Sequence, residues 1–424
     1  MKILIIHWRF FPVSGPERYL FNTIELLERN GHTVIPFSIN YESNNPTEFD
    51  KYFVESVGDK NNFNFTAQSN ISITDKIKIA KNFFYNTNAY ENLNDLIRNE
   101  KPDIAYILQF FGKLSISIFD ACYENKIPIV LRLSDYGLIC SKNIFYRDGE
   151  VCTKCISNQL HSLRYKCVHQ SLSKSVLFYL ALQFSYSKKF QSKINTIVTP
   201  SLTMMKIFAE SRYFKKISIK HVPTFFLFKD FDPNKKSRQI LNIDFCYLGR
   251  IDEDKGVDVL INAVILLSEK GFFPKVVIAG DYNNQYASSL ILVCKNMNLS
   301  NVEFTGLLKK DELLEVLSSS RFTIIPSLWY DNMPNSLIES QAIGVPVIAS
   351  NIGSLPELIT DNYNGFLFRP GDKNELANKM EQTLLLNDDK LETYKVNSYN
   401  WAREYCSEKN HYDKLINIFE NAIK

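Results

Sequence analysis

Apolar strand patterns alternate with amphipathic helix patterns along most of this chain, and that alternation constrains its fold more than any other feature. Residues 3–6 predict a buried strand, 17–29 a helix and 33–37 the next strand. Three more strands are predicted before the middle of the chain, at 104–108, 129–133 and 196–198. Such alternation predicts a parallel sheet covered by helices on both faces.

The alternation breaks at residues 224–242, which are typical of a linker, and then restarts. Strands are predicted at 244–248, 275–279, 302–304 and 323–326, and helices at 257–269 and 310–317. We therefore expect an α/β protein with two doubly wound, Rossmann-like domains, at 1–225 and 226–402. Ligands of such sheets lie beyond the carboxyl ends of the strands, so two domains facing each other would line a central cleft.

Length and hydropathy fit two globular domains without a membrane anchor. The chain has 424 residues, of which 45% are hydrophobic. The apolar run at residues 3–6 is too short for a signal peptide, and no run reaches the roughly 18 apolar residues that span a bilayer. The sequence predicts a cytoplasmic protein.

Positive charge is concentrated in one segment. Residues 151–240 contain sixteen Lys and Arg but three acidic residues, a net charge of +13, whereas the whole chain carries +3. Such a segment favours an anionic partner (nucleic acid, phospholipid or a phosphorylated acceptor) or is a solvated basic face. Within it, residues 172–190 are apolar with lysines near both ends, which fits a core helix or a helix lying on an anionic membrane.

Two cations follow the predicted strand at 244–248. Gly249-Arg250 comes directly after the strand, and Lys255-Gly256 opens the next helix. Arg250, with a forked guanidinium, and Lys255, with a point charge, can both reach a diphosphate from such a loop, although solvated surface cations would give the same pattern.

The most specific motif runs from Asp331 to Ser350. Pro334 is suited to the first turn of a helix, which would leave three backbone amides unpaired and pointing outward, those of Asn335, Ser336 and Leu337. A helix end of this kind binds phosphate. Asp331 can then accept hydrogen bonds from sugar hydroxyls and Glu339 from ribose hydroxyls, and capped acids on a surface helix are the alternative.

Together these motifs resemble glycosyltransferase family 4. The resemblance includes Gly249-Arg250, Lys255-Gly256, the Asp331/Glu339 pair, the segments 344–350 and 364–368, and Ser14-Gly15 as the first Gly-rich loop. It implies the GT-B fold, a nucleotide-sugar donor, retention of anomeric configuration and no metal for catalysis. It also implies that Arg250 and Lys255 hold the diphosphate. Asp331 would bind the donor sugar and Glu339 the ribose, and Gly15 and Gly249 would belong to the donor site. Residues 403–424 would form a helix that crosses back to the first domain.

The chain departs from the family pattern at three places. Asp331 stands where a Glu is usual, and Ser14 replaces a glycine of the first loop. Many members have a His before the Asp in the middle of the first domain, whereas this chain has Ser134 before Asp135. Whether Asp135 or Arg132 faces the cleft in its place is left open by the sequence.

Four cysteines lie in an insertion at about 138–170, with the spacing C-x11-C-x2-C-x11-C: Cys140, Cys152, Cys155 and Cys167. Four thiolates that include a C-x-x-C pair can close a tetrahedral zinc site. Reduced buried thiols are the alternative in a cytosolic protein. Between these cysteines, residues 147–150 predict a tight turn.

We therefore predict a retaining, hexosyltransferase-type glycosyltransferase that acts in surface polysaccharide or glycolipid assembly. Its predicted partners are a nucleotide-diphosphate sugar and a glycan or lipid-linked acceptor, with possible peripheral contact to the inner, anionic face of the membrane and no nucleic acid. A nucleotide-sugar epimerase of the same general fold is the alternative, and a structural zinc is the only metal predicted.

Overall fold

The computed structural model describes residues 1–57, 72–228 and 242–424, so most of the predicted linker at 224–242 lies outside the described residues. The described chain divides into two compact units. Unit 1 comprises Met1–Asn143, Thr153–Val222 and Tyr412–Lys424, and unit 2 comprises Ile144–Cys152 and Pro223–His411.

The secondary structure confirms the predicted alternation. The strands are β1 (Lys2–His7), β2 (Thr33–Phe37), β3 (Ile39–Asn40), β4 (Val54–Glu55), β5 (Ile104–Gln109), β6 (Ile129–Arg132), β7 (Tyr146–Arg147), β8 (Glu150–Val151), β9 (Thr196–Thr199), β10 (Ser218–His221), β11 (Ile243–Leu248), β12 (Val276–Ala279), β13 (Val302–Gly306), β14 (Ser320–Ile325), β15 (Val347–Ser350) and β16 (Gly365–Phe368). The helices are α1 (Gly15–Arg29), α2 (Ile73–Phe84), α3 (Thr87–Glu100), α4 (Ser117–Glu124), α5 (Lys154–Ser157), α6 (His161–Arg164), α7 (Leu172–Ser187), α8 (Leu202–Glu210), α9 (Val257–Glu269), α10 (Gln285–Asn296), α11 (Lys310–Ser318), α12 (Asn335–Ala342), α13 (Leu355–Leu358), α14 (Lys373–Leu384), α15 (Asp388–Tyr405) and α16 (Glu408–Ile423).

Unit 1 is built on a six-stranded parallel sheet with the order β10-β9-β6-β5-β1-β2. Its central strands are apolar on both faces because helices cover both: Ile3 to Ile6 of β1 are fully buried. The first helix is capped by Ser14, whose backbone amide (3.0 Å) and hydroxyl (2.6 Å) both donate to the Glu17 carboxylate. These bonds satisfy groups that the helix end would otherwise leave unpaired.

Unit 2 is built on a second six-stranded parallel sheet with the order β13-β12-β11-β14-β15-β16. From β11 the chain adds strands on one side, and from β14 it adds them on the other. The carboxyl ends of β11 and β14 are therefore the topological switch point, where open α/β sheets bind their ligands. The predicted fold class, two Rossmann-like parallel-sheet domains, is confirmed.

Two further predictions about helices can be compared with the structure. The last helix, α16, runs into unit 1, where Tyr412 meets His32 at 2.8 Å (oxygen to Nε2) and Phe419 packs edge-on against Tyr106. The segment 172–190 contains α7, which buries Leu182 and Tyr186 but leaves other leucines exposed. No helix of the described residues is both long and apolar enough to cross a membrane.

Candidate functional site

The loops that follow β11 and β14 meet at the switch point of unit 2. Gly256, between these two strands in sequence, has φ +67°, and a Cβ added there would lie 2.0 Å from the Pro326 carbonyl oxygen. The Leu328 amide donates to the Asp254 carbonyl oxygen at 2.9 Å. Only glycine permits so close an approach, and it brings residues more than seventy positions apart in the sequence into one site.

Lys255 and Asp331 form an ion pair at this contact. The Lys255 ammonium donates to Asp331 Oδ2 at 2.6 Å, and both side chains are largely buried, with 16% and 7% exposed. The Ser327 hydroxyl donates to the same oxygen at 2.9 Å, and the Asn332 amide donates to Oδ1 at 3.0 Å. The structure thus brings together Lys255 and Asp331, which the sequence assigned to one site. The three hydrogen bonds fill most of the acceptor positions of the Asp331 carboxylate.

Arg250 is held by acids of its own loop. Its guanidinium pairs with Asp252 and, at 3.1 Å, with Asp254, while 58% of the side chain stays exposed. Gly249 lies between the end of β11 and Arg250, and its carbonyl oxygen lies 2.0 Å from where a Cβ on Gly280 would be. The loop backbone is therefore fixed by close packing while the guanidinium remains accessible to an anion.

The start of α12 differs from its prediction in one respect. Pro334 is the N-cap residue, with an extended ψ of 134°, and does not lie within the first turn. Its carbonyl oxygen accepts from the Leu337 amide at 3.1 Å, so Leu337 is not an open donor. Within the described chain, no acceptor reaches the amides of Asn335 and Ser336. Two of the three predicted donors therefore remain available to an anion.

The remaining predicted donor residues lie elsewhere. Glu339 is half-buried in the second turn of α12. Gly15 is the first residue of α1 and belongs to unit 1, whereas Arg250, Lys255 and Asp331 belong to unit 2. The ribose and first-loop roles of Glu339 and Gly15 stay predictions.

Several supports of the Asp331 loop were missed by sequence reasoning. Ser354 donates its amide (3.1 Å) and hydroxyl (2.9 Å) to the Asp331 carbonyl oxygen. Gly353 has φ +60°, and a Cβ there would lie 2.8 Å from Tyr330 Cα. The only signal for this contact is the pair Gly353-Ser354 after β15, which is too common to identify a site.

A hairpin from the cysteine-containing insertion also contributes to unit 2. The predicted tight turn is confirmed: β7 and β8 pair antiparallel around Asp148 and Gly149, both with positive φ. Phe145, fully buried, packs edge-on against Tyr330 at a ring-centroid distance of 6.4 Å. Burial, with the Glu253 carboxylate and other acids nearby, raises the pKa of Tyr146 to about 12. The insertion therefore supports the residue next to Asp331.

The predicted zinc site at the four cysteines is not confirmed. None is in a disulfide, and the hairpin end Cys152 groups with unit 2, whereas Cys140, Cys155 and Cys167 group with unit 1. Among the described residues, no group of three or more His, Cys, Asp or Glu side chains is arranged to hold a metal ion. A C-x-x-C pair specifies a zinc site only when the fold brings four ligands to one point, so the spacing alone does not establish one.

Arg132 and Asp135, which the sequence left undecided, both line a cavity of about 650 Å³ within unit 1. Arg132 is 4% exposed, and its guanidinium carbon lies 3.7 Å from the centre of the Tyr19 ring. Burial raises the pKa of Asp135, although its carboxylate accepts from the Gly137 amide at 2.7 Å. The cavity lies at the carboxyl ends of β1, β5 and β6, which are neighbours in the sheet.

Comparison with protein families supports the assignment of unit 2. Residues 229–401 match the family model described as glycosyl transferases group 1. The capsular polysaccharide biosynthesis glycosyltransferase CapM of Staphylococcus aureus is 25% identical over 202 residues, 46% of this chain and 51% of CapM. The N,N'-diacetylbacillosaminyl-diphospho-undecaprenol alpha-1,3-N-acetylgalactosaminyltransferase of Campylobacter jejuni is 23% identical over 82% of each chain. The chain spans about half the length of the first curated relatives it matches, 49%, 44% and 51%.

Solved structures resemble the whole chain in fold. Sucrose-phosphate synthase from Thermosynechococcus elongatus superposes with a TM-score of 0.72 at 15% identity, covering 99% of this chain and 98% of that one. HepE of Anabaena, in complex with UDP and glucose, has a TM-score of 0.66 at 17% identity over 99% of this chain and 100% of that one. Identities this low show the fold alone, which is the GT-B arrangement of two Rossmann-like domains.

Proposed function

Because residues 229–401 match the family model of the group 1 glycosyl transferases, we propose that the chain is a retaining glycosyltransferase. It transfers a hexose-type sugar from a nucleotide-diphosphate donor to an acceptor in surface polysaccharide or glycolipid assembly. The observation that carries the proposal is the Lys255–Asp331 pair at the switch point of unit 2, beside Arg250 in the same loop and the open amides that begin α12.

The donor diphosphate is proposed to bind three sets of positive groups. Arg250 offers an exposed guanidinium, Lys255 an ammonium, and Asn335 and Ser336 their amides. Negative charge accumulates on the diphosphate as the sugar leaves, and preorganised donors of this kind stabilise it. Because Asp252 already pairs with Arg250, the diphosphate takes the place of that carboxylate and the loop need not be reorganised.

Asp331 is proposed to have two roles. Its carboxylate orients the Lys255 ammonium, and the acceptor capacity left after its three hydrogen bonds receives a hydroxyl of the donor sugar. The short side chain, where the family usually has a Glu, favours the first role. Glu339 is proposed to accept from the ribose, and Gly15 and Gly249 to allow the donor close approach to the backbone.

We propose that catalysis needs no bound metal, because the cations of unit 2 supply the charge that a divalent ion would otherwise provide. Activity that is unchanged by EDTA, after passage over a chelating resin, supports this. Activity that vanishes with EDTA and returns with Mg²⁺ or Mn²⁺ contradicts it.

A transfer assay with radiolabelled UDP-, GDP- and ADP-sugars tests the proposed function. Total membrane lipid extract and oligosaccharides serve as acceptors. We expect one donor class to give labelled product that keeps the anomeric configuration of the donor. Labelled donor converted to its epimer without any acceptor would instead identify the epimerase, which no relative described above resembles in its stated activity.

The acceptor is proposed to bind unit 1 while the protein contacts the cytoplasmic, anionic face of a membrane. Helix α2 packs against α7 through Phe83 on Phe178, at a ring-centroid distance of 6.0 Å. On α2, Ile73 and Ile77 are 75% and 65% exposed on a helix that also carries lysines. Exposed apolar side chains interleaved with lysines are typical of helices that lie at a membrane interface.

Vesicle sedimentation tests the membrane contact. We expect binding to vesicles with 30 mol% phosphatidylglycerol and little binding to pure phosphatidylcholine, because lysines near the surface add roughly 1 kcal/mol each. Replacing Ile73 and Ile77 by Ser should weaken the binding, and Val396→Ser, which removes an exposed apolar side chain of unit 2, should not. Equal binding to both kinds of vesicle would refute the contact.

A further inference from the structure

The cavity of unit 1 contains a cation that has no acidic partner. Two cations lie on the ring of Trp8: the Arg9 guanidinium carbon at 3.9 Å and the Lys113 ammonium at 5.1 Å from the ring centroid. Arg9 pairs with the buried carboxylate of Glu17 at 3.2 Å. Lys113 forms no ion pair with any acid of the described chain. A half-buried ammonium without a counter-charge is costly unless a ligand supplies one.

The environment of Lys113 has the electrostatic character expected of an anion-binding site. Burial, reinforced by the nearby Arg9 guanidinium, lowers the pKa of Lys113 to about 8. An anion bound beside Lys113 would raise that pKa, because a nearby negative charge stabilises the ammonium. Two acids also line the cavity, Glu55 and Asp135, and burial raises the pKa of Asp135. Four cations of the lining outnumber them: Arg9, Lys113, Arg132 and Lys174.

Part of the cavity lining is aromatic. Phe83, Phe111 and Phe178 form a mutually packed cluster, with ring-centroid distances of 5.5, 6.0 and 5.2 Å. Gly112 makes the cluster compact, since a Cβ there would lie 2.7 Å from the Phe83 ring. The segment 110–113, Phe-Phe-Gly-Lys, therefore places an apolar surface and a cation side by side at the end of β5. A free sugar presents neither an anion nor an apolar chain to such a wall.

We propose that this cavity binds an amphiphilic phosphate, with Lys113 and Arg9 on the phosphoryl oxygens and the phenylalanine cluster against the apolar chain. The inference rests on the proposed function and deepens it: the acceptor is a lipid carrying a phosphate or diphosphate, and not a free neutral glycan. The volume of about 650 Å³ holds the phosphoryl end and the first part of the chain.

Isothermal titration calorimetry with three probes tests the proposal: farnesyl diphosphate, inorganic pyrophosphate and farnesol. We expect farnesyl diphosphate to bind more tightly than either of the others, because it alone satisfies both walls. Lys113→Met should weaken its binding roughly 10- to 100-fold, as expected for loss of a charged hydrogen bond. Phe111→Ala should weaken farnesyl diphosphate but not pyrophosphate, and Phe111→Leu should restore most of the affinity.

Two controls keep the test specific. Lys206→Met removes an exposed lysine of α8, outside the cavity lining, and should change nothing. Trp8 lines the cavity and serves as a local fluorescent probe. In a variant with Trp329 and Trp401 replaced by Phe, binding of farnesyl diphosphate should change the fluorescence of Trp8. Thermal melts show whether each variant is folded.

Four results would overturn the proposal. The first is an unchanged affinity of Lys113→Met for farnesyl diphosphate, and the second is equal affinity for farnesol and farnesyl diphosphate. The third is equal affinity for pyrophosphate and farnesyl diphosphate, which would indicate a free-phosphate site. The fourth is displacement of farnesyl diphosphate by nucleotide-sugars. Binding as described but no sugar transfer from any donor would instead count against the proposed function. Transfer to a neutral glycan with no probe binding would leave that function intact and reject the lipid phosphate.

Discussion

A lysine at the site of each unit is held in a different way. In unit 2, Lys255 is paired with a buried acid and Arg250 with two acids of its own loop. In unit 1, Lys113 faces an open cavity with aromatic walls and has no acidic partner in the described chain. A cation held by acids is oriented before its ligand arrives, whereas an unpaired one gains its counter-charge from the ligand. The paired cation of unit 2 therefore favours precise positioning of a reacting group. The unpaired cation of unit 1 favours affinity for an anionic ligand.

The largest effect is expected at the paired cation. Lys255→Met leaves the Asp331 carboxylate buried without its counter-charge, and removes a charge from the leaving diphosphate. Turnover should fall roughly 100- to 1,000-fold, and the free energy of unfolding should drop by about 3–5 kcal/mol. Initial rates and urea denaturation measure the two effects.

A matched control is available within unit 2. Lys270 pairs with Glu381 at the same distance, 2.6 Å, but with 46% and 28% of the side chains exposed. Lys270→Met should cost about 0–1 kcal/mol and leave turnover unchanged. If both lysine variants behave alike, burial does not distinguish the pair at the site from an ordinary surface pair.

The next effect concerns the contact that brings the two loops of unit 2 together. Gly256→Ala places a methyl group against the Pro326 carbonyl and at positive φ, so it should lower stability by about 2–4 kcal/mol and reduce turnover. Gly271 also has positive φ, +86°, but a Cβ there meets nothing within 4 Å. Gly271→Ala should therefore cost about 1 kcal/mol and spare activity. Equal losses in both variants would show that the close approach is not what matters.

The ammonium of Lys113 predicts that ligand binding to the cavity of unit 1 depends on pH. Because burial and the nearby Arg9 guanidinium lower the pKa of Lys113 to about 8, the ammonium is lost as pH rises from 7 to 9. Affinity for farnesyl diphosphate should fall roughly tenfold by pH 9, since about a tenth of the protein then carries the charge. The other titratable and charged side chains that line the cavity are Arg9, Tyr41, Glu55, Arg132, Asp135, His169 and Lys174.

Lys113→Arg isolates Lys113 from these neighbours. The guanidinium stays charged throughout this pH range, so the variant should bind with a flat profile between pH 7 and 9. A slope that persists in Lys113→Arg would assign the titration to another group of the cavity. Calorimetric titrations at constant ionic strength measure both profiles.

The elements of the fold were predictable because they depend on local patterns. The predicted strand at 244–248 is observed as β11, the predicted helix at 257–269 as α9, and the tight turn at 147–150 as the β7–β8 hairpin. Each follows from side-chain periodicity or from a turn dipeptide. The Leu337 amide was assigned wrongly because a cap geometry depends on one dihedral angle, ψ of Pro334, which the residue type does not specify.

The supports of the site were not predictable because they join distant segments. Ser354 holds the Asp331 carbonyl, and Phe145 packs on Tyr330 from 185 positions earlier in the chain. The zinc site that the cysteine spacing predicted is not confirmed, since no group of three or more potential ligands in the described part of the chain is arranged to hold a metal ion. Neither the Phe145 contact nor the Ser354 contact leaves a local pattern in the sequence.

The sequence by itself determined the two doubly wound sheets, the match of residues 229–401 to the group 1 glycosyl transferases and the identity of the charged residues at the switch point. These depend on periodicity and on short motifs, which neighbouring residues encode. Only the tertiary structure decided that Asp331 accepts hydrogen bonds from Lys255 and Ser327. It also decided that, among the described residues, the amides of Asn335 and Ser336 have no acceptor and Lys113 has no acidic partner. Those outcomes depend on which distant groups packing brings within hydrogen-bonding distance, and no local pattern records that distance.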